Sequence, residues 1–169
     1  MNCDSETSLA MSGKYIGQII RKGEVIDEFE FDNLVVDQGL NYALNAAFGQ
    51  TSALASWYIG LFEGNYTPVA GVTAATIAGL ATETTAYTSG TRPAWTTVAA
   101  TTKSLTNGAS RASFTFNATK TIYGAFLVSS STKSGTSGTL FSAARFTTAK
   151  TVDADDELLV TYVITAADA

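Results

Sequence analysis

The second half of the chain is cut into short runs, each closed by turn residues, and this limits what it can fold into more than any other feature. The runs are residues 113–117, 121–129, 139–147 and 157–165. The turn signals are Asn107-Gly108, Asn117-Ala118, Gly135 to Gly138, and Asp153 to Asp156. In the last run Leu158, Val160, Tyr162 and Ile164 recur at every second position, which puts them on one face of a strand. Runs this short with such frequent turns predict an all-β, antiparallel β-sandwich or jelly-roll-like body.

The first half carries two further signals. Residues 14–20 and 24–31 flank Arg21-Lys22-Gly23 and read as a β-hairpin, with Gly23 supplying the positive φ of a tight turn. In its second strand Val25, Asp27, Phe29 and Phe31 alternate with Glu24, Ile26, Glu28 and Glu30, giving one largely apolar and one mostly acidic face. Residues 33–36 continue as extended chain. The period then changes. Leu40, Leu44, Ala47 and Phe48 share one face of a helix, with Asp37 as N-cap and Gly49 as C′ glycine. This is the one short helix predicted, a plug over the open end of the sandwich. Residues 57–62 read as a buried strand, and Arg92-Pro93-Ala94-Trp95 as the start of another. Residues 69–91, rich in Ala, Thr and Gly, form a long excursion with a helix or a strand near 76–81. The expected organisation is a flexible N-terminal arm (1–13), a β-hairpin or extended arm (14–36) and a β-sandwich body (37–169).

Composition says what the surface is made of. Only 15% of residues are charged, against about 25% in an average soluble domain. Thr, Ala and Ser take that space; they suit strands, and their burial against a partner desolvates few charges. The net charge of −5 is uneven. Acids crowd both ends, whereas between residues 64 and 152 the only acid is Glu83, beside seven Lys and Arg. Either this lets copies meet head to tail or dock on a charged lattice, or the ends fold back on the middle. The basic residues are scattered, so no nucleic-acid partner is expected. No apolar run is long enough to span a membrane. The single cysteine, Cys3, cannot form an internal disulfide, and the opening residues do not resemble a signal peptide. Both features lead to the expectation of a protein made in the cytoplasm.

Little in the sequence carries chemistry. Without histidine the chain lacks the commonest general base and zinc ligand. Glu63 and Glu83 are the isolated acids from which a catalytic pair would have to come, and both lie beside turns. The acids at 153–157 lack the spacing of a calcium loop. Gly135 to Gly138 lacks the lysine of a phosphate loop. Trp57, Tyr58, Tyr66, Tyr87, Trp95 and Tyr123 either line a sugar-binding face or belong to the core. The expectation is a non-enzymatic protein with no cofactor and no bound metal.

Several stretches resemble virion proteins of tailed bacteriophages. They are Asn33-Leu-Val-Val-Asp-Gln-Gly-Leu40, Trp57-Tyr-Ile-Gly-Leu-Phe-Glu-Gly-Asn-Tyr-Thr-Pro68, Glu83-Thr-Thr-Ala-Tyr87 and Arg92-Pro-Ala-Trp95. Ala112-Ser-Phe-Thr-Phe116, Lys120-Thr-Ile-Tyr-Gly-Ala-Phe-Leu127, Leu140-Phe-Ser-Ala-Ala-Arg-Phe146 and Asp155-Asp-Glu-Leu-Leu-Val-Thr-Tyr162 complete the pattern. Over roughly residues 33–165 the chain is most similar to small capsid decoration, or cement, proteins. The resemblance implies a structural protein on the capsid surface of a virion. Its partners would be the major capsid protein and itself, as a dimer or trimer. The alternative is a phage tail or fibre component, or a host-glycan-binding module. The hairpin lies outside this pattern. It is the candidate partner-binding arm, adding a strand to a partner sheet through Tyr15, Ile16, Ile19, Val25, Ile26 and Phe29.

Overall fold

The computed structural model describes residues 9–168. Along the chain the elements are β1 (Leu9–Arg21), β2 (Glu24–Asp32), β3 (Leu34–Val35), α1 (Asp37–Ala47), β4 (Tyr58–Phe62) and α2 (Ala74–Leu80). They are followed by β5 (Ser104–Thr106), β6 (Ala112–Thr115), β7 (Lys120–Val128), β8 (Leu140–Val152) and β9 (Glu157–Asp168). One sheet has the order β2-β1-β9-β5, with β6 also paired to β9; the other has the order β3-β8-β7-β4. All pairings are antiparallel, and the expected all-β sandwich is what the chain forms.

The two sheets differ in how deeply they are buried, and their sequences show it. In the first sheet only one face is covered. Tyr15 and Ile19 of β1 point inward, as do Leu158, Val160, Tyr162 and Ile164 of β9, while the residues between them are more exposed. The second sheet is covered on both faces. Ile59, Leu61, Ile122 and Leu127 face the first sheet. Phe62, Phe126 and Val128 face a second cluster built with Val72, Ala74 and Ile77. Strands buried on both sides read as continuous apolar runs, which is why 58–62 and 124–128 lack alternation. Where Gly60 pairs with Phe126, and Gly124 with Phe62, the ring lies over the glycine.

Three sets of contacts tie the strands and the two sheets together. Tyr15 and Tyr162 stack with centroids 4.4 Å apart, and the Tyr15 hydroxyl lies 2.9 Å from Ser142 Oγ of β8. Burial pushes the Tyr15 phenol well above its ordinary pKa, so it stays neutral. Asn107 fills the gap between β5 and β6 along β9. Its Nδ2 donates to the Val160 carbonyl (3.1 Å) and its Oδ1 accepts from the Tyr162 amide (2.8 Å). At the open side, Phe29 and Phe31 of β2 pack on Phe146 of β8, and Lys150 reaches Asp27 at 2.9 Å.

Several expectations need correction. Residues 9–13, assigned to a flexible arm, are strand: β1 pairs with β9 from Leu9↔Asp168 to Ile20↔Glu157. Residues 1–8 of that arm lie outside the described residues. The hairpin is no detached arm either, because β1 lies between β2 and β9 inside the first sheet. Its turn is tighter than a single glycine implies: both Lys22 (φ 53°) and Gly23 (φ 85°) are left-handed, as a two-residue hairpin loop requires. Of the two alternatives for the excursion near 76–81 the helix is the one that forms, which makes α2 a second helix where one was predicted; reciprocal Thr73–Thr76 contacts cap it. Residues 92–95 form no strand; Ala94 makes only an isolated bridge to Tyr58. The three-residue β5 escaped sequence reading.

Lys150 of the basic stretch pairs with Asp27 of the acidic start at 2.9 Å, and Lys120 with Glu63 at 2.9 Å, while Arg21 joins the two ends of the chain by binding Asp153 and Asp156, each at 2.6 Å. The hydrogen bonds from Arg21 hold the Asp156 carboxyl below the usual carboxylate range.

Candidate interaction surfaces

The six hairpin residues predicted to meet a partner are divided by the pleat. Tyr15 and Ile19 are core residues, 1% and 2% exposed. Ile16 lies on the outer face of the sheet, half-buried. Phe29 turns inward onto Phe146, with Lys150 Nζ 4.8 Å from its ring centre. Only Val25 and Ile26, near half exposed at the hairpin tip, are presented to a partner. Tyr15, Ile19 and Phe29 are therefore removed from the candidate site, because alternation sends them to the inter-sheet core.

The edge behind those two residues is open. β2 (Glu24–Asp32) is the end strand of its sheet and pairs only with β1 among the described residues. Glu24, Glu28, Glu30 and Asp32 are exposed along it. Lys14 reaches Glu30 at 2.8 Å, and Gln18 Nε2 donates to Glu28. An edge with this many acids repels its own copy and favours a basic strand or patch.

A second surface is carried by α1. The face defined by Leu40, Leu44, Ala47 and Phe48 was expected to pack inward. It faces out: Leu44 is 54% and Phe48 76% exposed, with Leu40 also exposed. The packed side is the opposite one. Gly39 is buried so close to β8 that a Cβ there would overlap the Phe141 carbonyl. Tyr42 and Ala43 pack against the inter-sheet core. The Tyr42 ring meets Trp57 edge-on at 5.3 Å, and its hydroxyl accepts from the Leu54 amide at 2.7 Å. Gly39 takes the point of closest contact because without a Cβ the helix axis can approach the strand, and Tyr42 fills the wider gap beside it. The N-cap is Val36, with no side-chain cap, and Asp37 is the first helical residue; Gly49, at φ 71°, is left-handed as expected.

Beside Tyr42 a groove of about 490 Å³ is lined by Leu54, Trp57, Trp95, Thr97 and Leu105 among others. Both tryptophans are tied into the body. Trp57 packs edge-on against Phe141, and Trp95 Nε1 donates to the Tyr162 carbonyl at 3.0 Å. Tyr87 is buried, and Tyr66 and Tyr123 pack on the second cluster.

The acids singled out for chemistry are engaged elsewhere. Glu83 and Arg92 form a fully buried bidentate pair at 2.8 and 2.6 Å. Glu83 also accepts from the Ser134 amide, and Arg92 donates to the carbonyls of Ser130 and Gly135. This pair fastens the 83–92 excursion to the loop between β7 and β8. Glu63 is bound by Lys120 at 2.9 Å. Among the described residues no three His, Cys, Asp or Glu side chains converge as metal ligands.

No protein-family model and no curated protein matches this chain.

Proposed function

We propose that this chain is a structural virion protein that binds the outside of a phage capsid and cements neighbouring capsomers. The resemblance over residues 33–165 supports the setting. The observation that carries the reading is the open β2 edge. It is nine residues long, acidic, and tipped by exposed Val25 and Ile26. Such an edge suits strand addition or docking to a basic patch on a larger partner, here the major capsid protein. A rigid sandwich behind the edge lets many copies act as identical clamps, so weak contacts multiply over a shell. Glu63 and Glu83, each held in an ion pair, support a binding role over a hydrolytic one.

Quantitative mass spectrometry of purified particles tests this reading. A copy number near that of the shell subunit, or a simple fraction of it, is expected. A handful of copies per particle would transfer the protein to the tail or a fibre, and absence from particles would end the virion reading. The edge is tested separately with Val25→Asp/Ile26→Asp, which should lose particle binding while keeping its fold. Removing the hairpin is no substitute, since Tyr15 and Ile19 belong to the core.

A further inference from the structure

Asn107 and Gly108 form the one Asn-Gly pair in the sequence, and the fold treats its two halves differently. Asn107 is 1% exposed, while Thr106 and residues 108–111 around it are exposed. Its side chain bridges the step where β9 passes from one partner to the next: Thr106 of β5 pairs with Val163, and Ala112 of β6 with Val160. Across that step Nδ2 donates to the Val160 carbonyl and Oδ1 accepts from the Tyr162 amide. Nothing comparable asks for glycine at 108. Its φ is not left-handed, and a Cβ there would meet only Thr106 Oγ1, at an ordinary 3.5 Å.

The consequence of glycine at 108 is chemical. Asparagine is a thermolabile residue, and a glycine after it leaves its Cγ open to attack by the next backbone nitrogen. That nitrogen gives up its proton and bonds to Cγ, Nδ2 leaves as ammonia, and a succinimide ring results. Water opens the ring at either carbonyl, yielding aspartate or isoaspartate.

We infer that Asn107 is a deamidation site protected by the fold, which marks chains whose β5 end has opened. In the closed state the Gly108 N–H donates to Thr106 Oγ1 at 3.1 Å. Turning Cγ toward that nitrogen would break both side-chain bonds to β9. β5 has three residues and pairs only with β9 among the described residues, and so short an element opens before the body of a sheet does. The product does not fit back. A carboxylate offers no donor to the Val160 carbonyl and places a charge at a buried position. Isoaspartate lengthens the main chain by one atom, so β5 and β6 lose their common register on β9. A reversible opening is thereby made permanent. None of this depends on the proposed capsid role.

Peptide mass spectrometry of the full chain, held in mildly alkaline buffer with and without denaturant, measures the loss of the Asn107 amide. The loss should be slower by at least about tenfold in the folded chain, because a buried, hydrogen-bonded group reacts only through rare opening. Refolding the aged sample should return amide-bearing chains to the folded fraction and leave deamidated ones behind. Gly108→Ala should keep the wild-type melting temperature or raise it slightly, and should slow the loss in the unfolded chain. Asn107→Asp, the product of one branch, should melt lower than the wild type and lose hydrogen-exchange protection at the Tyr162 amide. A folded wild type that deamidates as fast as the unfolded chain would overturn the inference. So would an Asn107→Asp protein as stable and as protected as the wild type.

Discussion

The two helices end in opposite conditions. α1 follows β3 directly and α2 follows an irregular stretch after β4, and each precedes an irregular stretch that returns to a sheet. α2 has only seven residues, yet Ala74, Ile77 and Ala78 are buried against the outer face of the second sheet. α1 is longer and carries a regular apolar stripe, yet turns Leu44 and Phe48 to solvent. The difference lies in what each helix must cover. The outer face of β4, β7 and β8 presents Phe62, Phe126, Val128 and Leu140, an apolar surface that has to be buried. α1 instead comes so close to the backbone of β8 at Gly39 that a Cβ would not fit there, and it turns Tyr42 and Ala43 to the inter-sheet core. Leu40, Leu44 and Phe48, on the opposite side of the helix, are left exposed.

The contrast can be broken most strongly on the α2 side. Arg92→Ala leaves Glu83 charged and buried without its partner, which should cost about 3–5 kcal/mol and release the whole 83–92 excursion from the β7–β8 loop. Chemical denaturation measures the loss, and an unchanged midpoint would mean that the pair contributes nothing to holding this layer. Ile77→Ala should cost about 2–4 kcal/mol, because a cavity opens in a cluster that the neighbouring strands cannot collapse into. If Ile77→Ala is neutral, α2 is not the cover that its burial describes.

On the α1 side the sensitive position is the smallest residue. Gly39→Ala raises intrinsic helix propensity, so in an exposed helix it would stabilise by up to about 1 kcal/mol. Here the added methyl meets the Phe141 carbonyl, and the net result should be a loss of about 1–3 kcal/mol. A gain in melting temperature would show that α1 can lift off β8 without penalty.

Much of this was legible in the sequence, and the failures share a cause. Strict alternation located β2 and the inward face of β9, because a half-covered sheet leaves a period of two. The doubly covered β4 and β7 were legible as apolar runs. What periodicity does not specify is which covered partner an element meets. It revealed that Leu40, Leu44 and Phe48 share a face of α1, but not that Gly39, Tyr42 and Ala43 on the other side would take the core. It showed the hairpin, but not that β1 would be an interior strand, since the partner β9 lies at the far end of the chain. α2 was obscured by Ala, Gly and Thr, whose weak apolar character hides the one decisive residue, Ile77. The Glu83–Arg92 pair had no sequence signal beyond the isolation of Glu83 in a basic stretch.

The smallest expected effect on stability is the sharpest test of the comparison. Leu44→Ala removes an isobutyl group from a helix face that the folded monomer leaves open. No cavity forms, and alanine is the better helix former, so unfolding free energy should change by no more than about 0.5 kcal/mol. Ile77→Ala deletes a comparable volume from α2, yet should cost several times more. Thermal melts of the two variants at low protein concentration compare them directly. If Leu44→Ala is as damaging as Ile77→Ala, the stripe is holding the monomer together and has no surface to spare for a partner. If it is neutral, the folded monomer draws nothing from the stripe, and α1 is held from its other side by Gly39, Tyr42 and Ala43.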